Sequence, residues 1–161
     1  MPKALKLIKI FIAGAGDTAE ERAFFKEVVE RVGKNIAGPL DLSLEPRGWQ
    51  DTLPGYGRPQ ALINEDVDEC DLFILCMYLR WGTPTGEYSS GTEEEFEVAL
   101  ALCRASPGCP QMWLYFRDIP EDRLPDPGPQ LQKVLAFRNR VEESREFFYQ
   151  SYGDLDKWKE L

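Results

Sequence analysis

The stretch from Trp81 to Glu97 concentrates the residue types that could do chemistry. Gly82, Gly86 and Gly91 loosen a loop, and Thr92-Glu93-Glu94-Glu95, with Glu97, brings carboxylates to the start of a helix. On a helical wheel begun at Thr92, Phe96, Ala99, Leu100, Leu102 and Cys103 form one apolar arc. Glu94 falls opposite that arc and Glu97 well away from it. Glu95 sits on its margin, stacked below Ala99 and Leu102, where it can face a cleft and where desolvation would raise its pKa. The plainer reading of Glu93, Glu94 and Glu97 is that acidic residues in a first turn complement the helix macrodipole.

Carboxylates matter here because the 161 residues include no histidine. Ser-His-Asp and Cys-His nucleophile systems, histidine metal sites and imidazole pH switches are therefore excluded. Acid–base or nucleophilic work falls to carboxylates, Tyr, Lys, Cys or water. The cysteines, Cys70, Cys76, Cys103 and Cys109, are not spaced as a zinc ribbon or a redox pair, and read as reduced thiols in or near a core. No metal site is expected.

A second glycine cluster, Gly14-Ala15-Gly16-Asp17-Thr18-Ala19, follows a β-rich run and fits the G-x-G-x-x-[GA] dinucleotide fingerprint. Gly14 and Gly16 would let a backbone approach phosphate at a helix N-terminus. Against this, Asp17 and Glu20 already place negative charge there, and the bland alternative is a tight strand-to-helix turn with Asp17 as N-cap.

These residues need a scaffold, and the chain alternates between strand and helix patterns. Leu5–Ala13 reads as a strand covered on both faces, followed by a helix over Thr18–Asn35. Leu40, Leu42 and Leu44 mark a second strand running towards Trp49. A loop over Asp51–Arg58 leads to a short helix from Pro59 to about Glu69. Asp71–Tyr78 is the third and most apolar strand; Thr92 then caps a helix to about Arg104, and Gln111–Phe116 is the fourth strand. The proline-rich stretch Pro120–Pro129 reads as a flexible loop or hinge, Gln130 to about Ser144 as a helix, Phe147–Tyr149 as the opening of a fifth strand, and Asp154–Leu161 as a last helix. Together they predict one α/β domain: a flavodoxin-like three-layer sandwich around a five-stranded parallel sheet of order 2-1-3-4-5. Ligands of such sheets sit beyond the carboxyl ends of the strands where strand order reverses. That point lies between the Gly14–Thr18 and Leu79–Thr92 loops, which are the glycine clusters described above.

Composition narrows the partners. Lys plus Arg total 19 against 28 Asp plus Glu, a net charge of -9, which argues against nucleic acid or an anionic membrane surface. The longest apolar run, Leu72–Tyr78, is too short to span a bilayer, and the start lacks a signal peptide, so a cytoplasmic location is expected.

Several segments together resemble a TIR-like domain family: Ile8–Ala13 with Asp17 and Glu20-Glu21-Arg22, Gly55–Gln60, Cys70–Ile74, Arg80–Gly86, and Ser90–Phe96. The resemblance covers about residues 7 to 118. Members sit at the N-terminus of bacterial signalling or defence proteins, ahead of NTPase or repeat modules, and the stop at Leu161 accords with such a domain. The family is similar to NAD-cleaving TIR domains and to nucleoside deoxyribosyltransferases. The transferases draw a nucleophilic carboxylate from a Gly-Thr-x-x-Glu run, and Gly91-Thr92-Glu93-Glu94-Glu95 has that spacing, which puts the carried-over catalytic role on Glu95. Their acidic residue before Gly-Thr is replaced here by Ser89 and Ser90.

The resemblance implies cleavage of an N-glycosidic bond, with NAD as substrate rather than cofactor and homo-oligomerisation on activation. Within that reading Trp81 and Tyr88 stack on a base or nicotinamide ring, or else pack against the sheet edge. Arg58 or Arg80 pairs with phosphate. Ser90 and Thr92 bond ribose hydroxyls or cap the helix, and Trp49 is a further cleft wall. The competing readings are a non-catalytic self-associating interaction module and a nucleotide sensor.

Overall fold

Alternating burial along two central strands organises the molecule. In the computed structural model, which describes residues 4–52 and 55–161, β1 (Lys6–Ala13) and β3 (Leu72–Met77) lie side by side in parallel. Phe11, Ala13, Phe73, Leu75 and Met77 point to one face of the sheet; Ile10, Ile12, Ile74 and Cys76 point to the other. Strands apolar on both faces must be covered on both faces, and they are. Helices α2 (Pro59–Asp68), α3 (Gly91–Ala105) and α4 (Gly128–Ser144) bury the first set through Val67, Phe96, Leu100, Leu131 and Val134. Helices α1 (Ala19–Val32) and α5 (Leu155–Glu160) bury the second through Val29 and Trp158.

Strands β2 (Leu42–Arg47), β4 (Gln111–Arg117) and β5 (Tyr149–Tyr152) complete a five-stranded sheet of order β2-β1-β3-β4-β5 in which every pairing is parallel. This is the flavodoxin-like α/β order expected from the sequence. The edge strand β2 tolerates Pro46 because an edge position can spare a backbone donor.

Local differences have local causes. The first helix stops at Val32 and continues as a π turn, Gly33–Ala37, so the second strand begins at Leu42 instead of Leu40. The proline-rich stretch is partly helical: a 3-10 turn spans Glu121–Arg123, and α4 starts at Gly128 with Pro129 in its first turn, where a missing N–H costs nothing. Pro54 of the Asp51–Arg58 loop lies outside the described residues, as does the Met1–Lys3 start.

The C-terminal elements are tied to α1. Glu21, 1% exposed, accepts hydrogen bonds from Arg117 Nη1 and Tyr152 Oη, and its backbone carbonyl accepts from Trp158 Nε1. No helix among the described residues is long and apolar enough to cross a membrane.

Candidate functional site

An open cleft of about 290 Å³ lies at the carboxyl ends of β1 and β3, where the strand order reverses. Gly14, Ala15 and Gly16 form one wall and Arg80, Gly82 and Thr83 another; Trp49, Gln60 and Ile63 approach from the β2–α2 side, and Gly91, Thr92 and Glu95 from the start of α3. An apolar hollow of about 200 Å³ beside α1 and α5 is lined by Phe24, Trp113, Tyr115 and Trp158 among others, with no Asp or Glu side chain among the described residues that line it. Of the two, only the cleft brings polar groups together.

The two glycine clusters meet through Asp17. Its Oδ2 accepts from Leu79 N at 2.8 Å and from Arg80 N at 2.9 Å. Asp17 is therefore not the N-cap of α1, which starts after a 3-10 turn over Gly16–Thr18; it clamps one cleft loop to the other. Gln130 secures the far side, its Oε1 accepting from Trp81 N and Gly82 N. Gly14 serves packing: a Cβ there would lie 2.4 Å from Thr18 Oγ1 and 2.9 Å from the Cys76 carbonyl oxygen. A Cβ on Gly16 would meet only Arg80 Nη1, at 3.7 Å. Gly14→Ala is accordingly expected to destabilise the domain by about 1–3 kcal/mol, as overpacking does, and Gly16→Ala by much less. Urea unfolding of both variants measures the difference, and equal effects would mean the turn can relax.

Glu95 occupies the cleft but is only 3% exposed. Burial pushes its carboxyl up to about 8, against the pull of a Gln60 hydrogen bond and the Arg22 charge. The preceding glutamate is its opposite. Glu94 accepts Arg58 Nη1 at 3.0 Å and Arg58 Nη2 at 2.5 Å, Thr85 Oγ1 at 2.6 Å and Asn64 Nδ2 at 2.9 Å. These donors, Arg58 first, hold it down to about 2. Adjacent residues thus present one carboxyl group protonated at neutral pH and one that stays ionised well into acid.

This corrects the helical-wheel placement of Glu94. Although opposite the sheet-facing arc, it is 1% exposed, because α2 and the Thr85 loop pack over that side of α3. Arg58 is consequently committed to Glu94 and Glu87 and does not line the cleft. Trp81 is 4% exposed and outside the cleft lining; its ring packs against Phe137 of α4 and its Nε1 donates to Ser89 Oγ. Tyr88 lies outside the cleft lining. Ser90, not Thr92, is the N-cap of α3, accepting from Glu93 N at 3.0 Å, and it is fully buried in that role. Gly14, Gly16, Trp49, Arg80, Thr92 and Glu95 do gather in one cleft.

Two residues at or beside the cleft were given no role in the sequence reading, although both fall in segments that carry the resemblance. Gln60, 8% exposed, lies beside Glu95. Arg22, 2% exposed, donates to the carbonyl oxygens of Ala15 and Thr18, sits under the Trp49 ring and leaves its Nη1 without a partner. Arg22 enters the sequence argument only within the resembling Glu20-Glu21-Arg22 run, and a basic residue beside an apolar helix face gives no sign of its burial. Its burial becomes visible only once Trp49 is folded over it.

An all-parallel sheet with helices on both faces and a ligand-sized cleft at its switch point defines the class, a flavodoxin-like α/β domain. Within that class the chain belongs to the family described as a domain of unknown function, DUF4062, whose pattern matches residues 9–160. No curated protein matches the chain. Among solved structures it is similar to 2-desoxiribosyltransferase from Leishmania mexicana, at 20% identity over 69% of this chain with a TM-score of 0.42. The match spans 65% of that structure's chain.

Proposed function

We propose that this domain cleaves the N-glycosidic bond of NAD or a related nucleotide, with Glu95 as the carboxylate that meets the ribosyl cation, in the cytoplasmic setting of a bacterial signalling or defence protein that self-associates on activation. The observation carrying the proposal is that, among the described residues, Glu95 is the one acidic side chain lining the cleft, at the last position of the Gly-Thr-x-x-Glu spacing. Heterolysis of the bond from ribose C1′ to the base nitrogen leaves the electron pair on the base and positive charge on the ribosyl ring. A buried carboxylate stabilises or traps that charge, and water or another acceptor then takes C1′. Nicotinamide departs neutral from a pyridinium, so a single carboxylate suffices. A neutral nucleoside base would need a proton donor as well, which favours NAD. Arg80, exposed beside Gly16, suits a phosphate, and the half-exposed Trp49 ring suits a base. The cleft is at the small end of ligand sites, roughly 300–1,000 Å³, and fits a base and its ribose better than a whole dinucleotide.

Incubation of the protein with NAD should release nicotinamide, followed by chromatography. No release, even from concentrated protein, would overturn the catalytic reading in favour of an interaction module; a thermal shift with NAD or ADP-ribose but no turnover would favour a sensor. The pH dependence follows from Glu95. The ionised form is the working one and the free group titrates at about 8, so kcat/KM should fall about tenfold per pH unit below that value and level off above it. In the complex a pyridinium beside the carboxyl favours ionisation, so the limb of kcat should lie at lower pH. A kcat/KM flat from pH 5 to 9 would exclude Glu95 as the titrating group.

A further inference from the structure

Helix α2 reaches the cleft through one side chain whose orientation is fixed from the protein surface inward. Arg58 grips Glu94 with both guanidinium nitrogens, so Glu94 is a pure acceptor. Asn64 must then turn its amide nitrogen to Glu94, 2.9 Å away, which leaves Asn64 Oδ1 facing Gln60. Gln60 must in turn offer nitrogen, and its Nε2 donates to Asn64 Oδ1 at 3.2 Å and to Glu95 Oε1 at 3.4 Å. Both amide hydrogens are used. Gln60 Oε1 is left against the backbone of α3, where a Cβ on Gly91 would come within 2.6 Å of it. Gly91 thus serves the site by leaving room for the Gln60 amide, beyond any role in starting the helix.

We propose that Gln60 is the positioning residue of Glu95: its amide, aligned by the Arg58–Glu94–Asn64 chain and seated against Gly91, holds one carboxyl oxygen of Glu95 in place and supplies the donor that stabilises its anion. The assignment deepens the N-glycosidase reading by giving the lone carboxylate a fixed direction. Three charged or polar groups act on Glu95: Gln60 from α2, Arg22 from α1 and Glu94 from its own helix. Glu94 opposes ionisation by repulsion yet aligns the amide that favours it. Gln60 is thereby the group through which the acidic pair on α3 is connected by hydrogen bonds.

The test uses Gln60→Met, which keeps the length of the side chain and removes the donor. Glutamate labelled with carbon-13 at the side-chain carboxyl reports the titration of Glu95 directly, its resonance identified by loss in Glu95→Gln. Relative to the parent, Gln60→Met should lower the ionisation constant of Glu95 about tenfold, since a donor to a charged acceptor is gone. Gln60→Met should also reduce kcat at neutral pH about tenfold with KM changed less than twofold, and move the acid limb of kcat/KM to higher pH. A purely structural role would lower the melting temperature and leave that limb unmoved. If Gln60→Met does not fold, Asn64→Leu releases the same amide without emptying its place and should shift Glu95 in the same direction. An unchanged Glu95 titration in a folded variant would overturn the proposal. The titration needs no substrate: a shifted Glu95 in a protein that never cleaves NAD would uphold Gln60 and remove the N-glycosidase reading instead.

Discussion

Glu95→Gln is expected to stop N-glycosidic cleavage while the domain stays folded. Glutamine keeps the shape of the side chain and retains an oxygen that can accept from Gln60 Nε2, so the packing at the start of α3 is preserved. What it removes is the negative charge facing the ribosyl cation. Losing a group that acts mainly on developing charge costs a few kcal/mol of transition-state stabilisation, so nicotinamide release should drop on the order of a hundredfold or more. KM should change little if the nucleotide is held by Arg80 and Trp49. The control is Glu97→Gln on the same helix: Glu97 pairs with Arg140 on the side away from the cleft, and its loss should leave the rate within about twofold. Glu94 cannot serve as that control, because removing its charge would disturb Arg58, Asn64 and, through them, Gln60. Parent-like turnover in Glu95→Gln would place the chemistry outside this cleft.

The sheet was legible because its signal is redundant. The Leu- and Ile-rich run before Gly14 and the apolar run before Tyr78 each demand cover on both faces, and short connections with right-handed crossovers leave few orders for five strands. Helix ends were less legible, since capping is decided by which side chain wins a local competition. Asp17 has the spacing of a cap yet is drawn to the amides of Leu79 and Arg80, which become its neighbours only after β1 and β3 pair. Ser90 takes the cap assigned to Thr92 because the backbone turns into the helix two residues earlier.

The site was legible along one helix and not across two. A wheel for α3 identifies the side facing the sheet and puts Glu95 correctly at its margin, where the structure buries it in the cleft wall. The same wheel treats the opposite side as solvent. Here that side faces α2, and Glu94 is buried by Arg58, Asn64 and Thr85 from segments distant in sequence. The placement of Arg58 and Trp81 turned on the same tertiary packing: Arg58 is held by Glu94 and Trp81 packs against Phe137, and both lie outside the cleft lining.

The environment that makes Glu95 useful should also make it costly. In the unfolded chain its carboxyl titrates near 4.3, whereas in the folded protein it titrates at about 8. Between those values the folded state keeps a proton that the unfolded state has lost, so this residue's contribution is fully present below about pH 4.3 and is lost as pH rises towards 8. At about 1.4 kcal/mol per pH unit, the loss across that window is on the order of 5 kcal/mol. Glutamine has no such titration. Glu95→Gln should therefore gain stability relative to the parent as pH rises, by about 3–4 kcal/mol between pH 5 and pH 8.5, with the gain levelling off above that. Glu94 has the opposite sign: held at about 2 when folded, it contributes stability that disappears only as pH falls from about 4 towards 2, in parent and variant alike. Urea unfolding of both proteins at pH 5 and pH 8.5 isolates the Glu95 effect, because every other titrating group is shared. Parallel pH dependences would mean that Glu95 is already ionised in the free protein, and the rise of kcat/KM towards pH 8 would fall with it. A variant that is inactive and more stable in alkali would show that the domain tolerates a carboxyl group buried against its own stability, as expected where a site is kept for chemistry and not for folding.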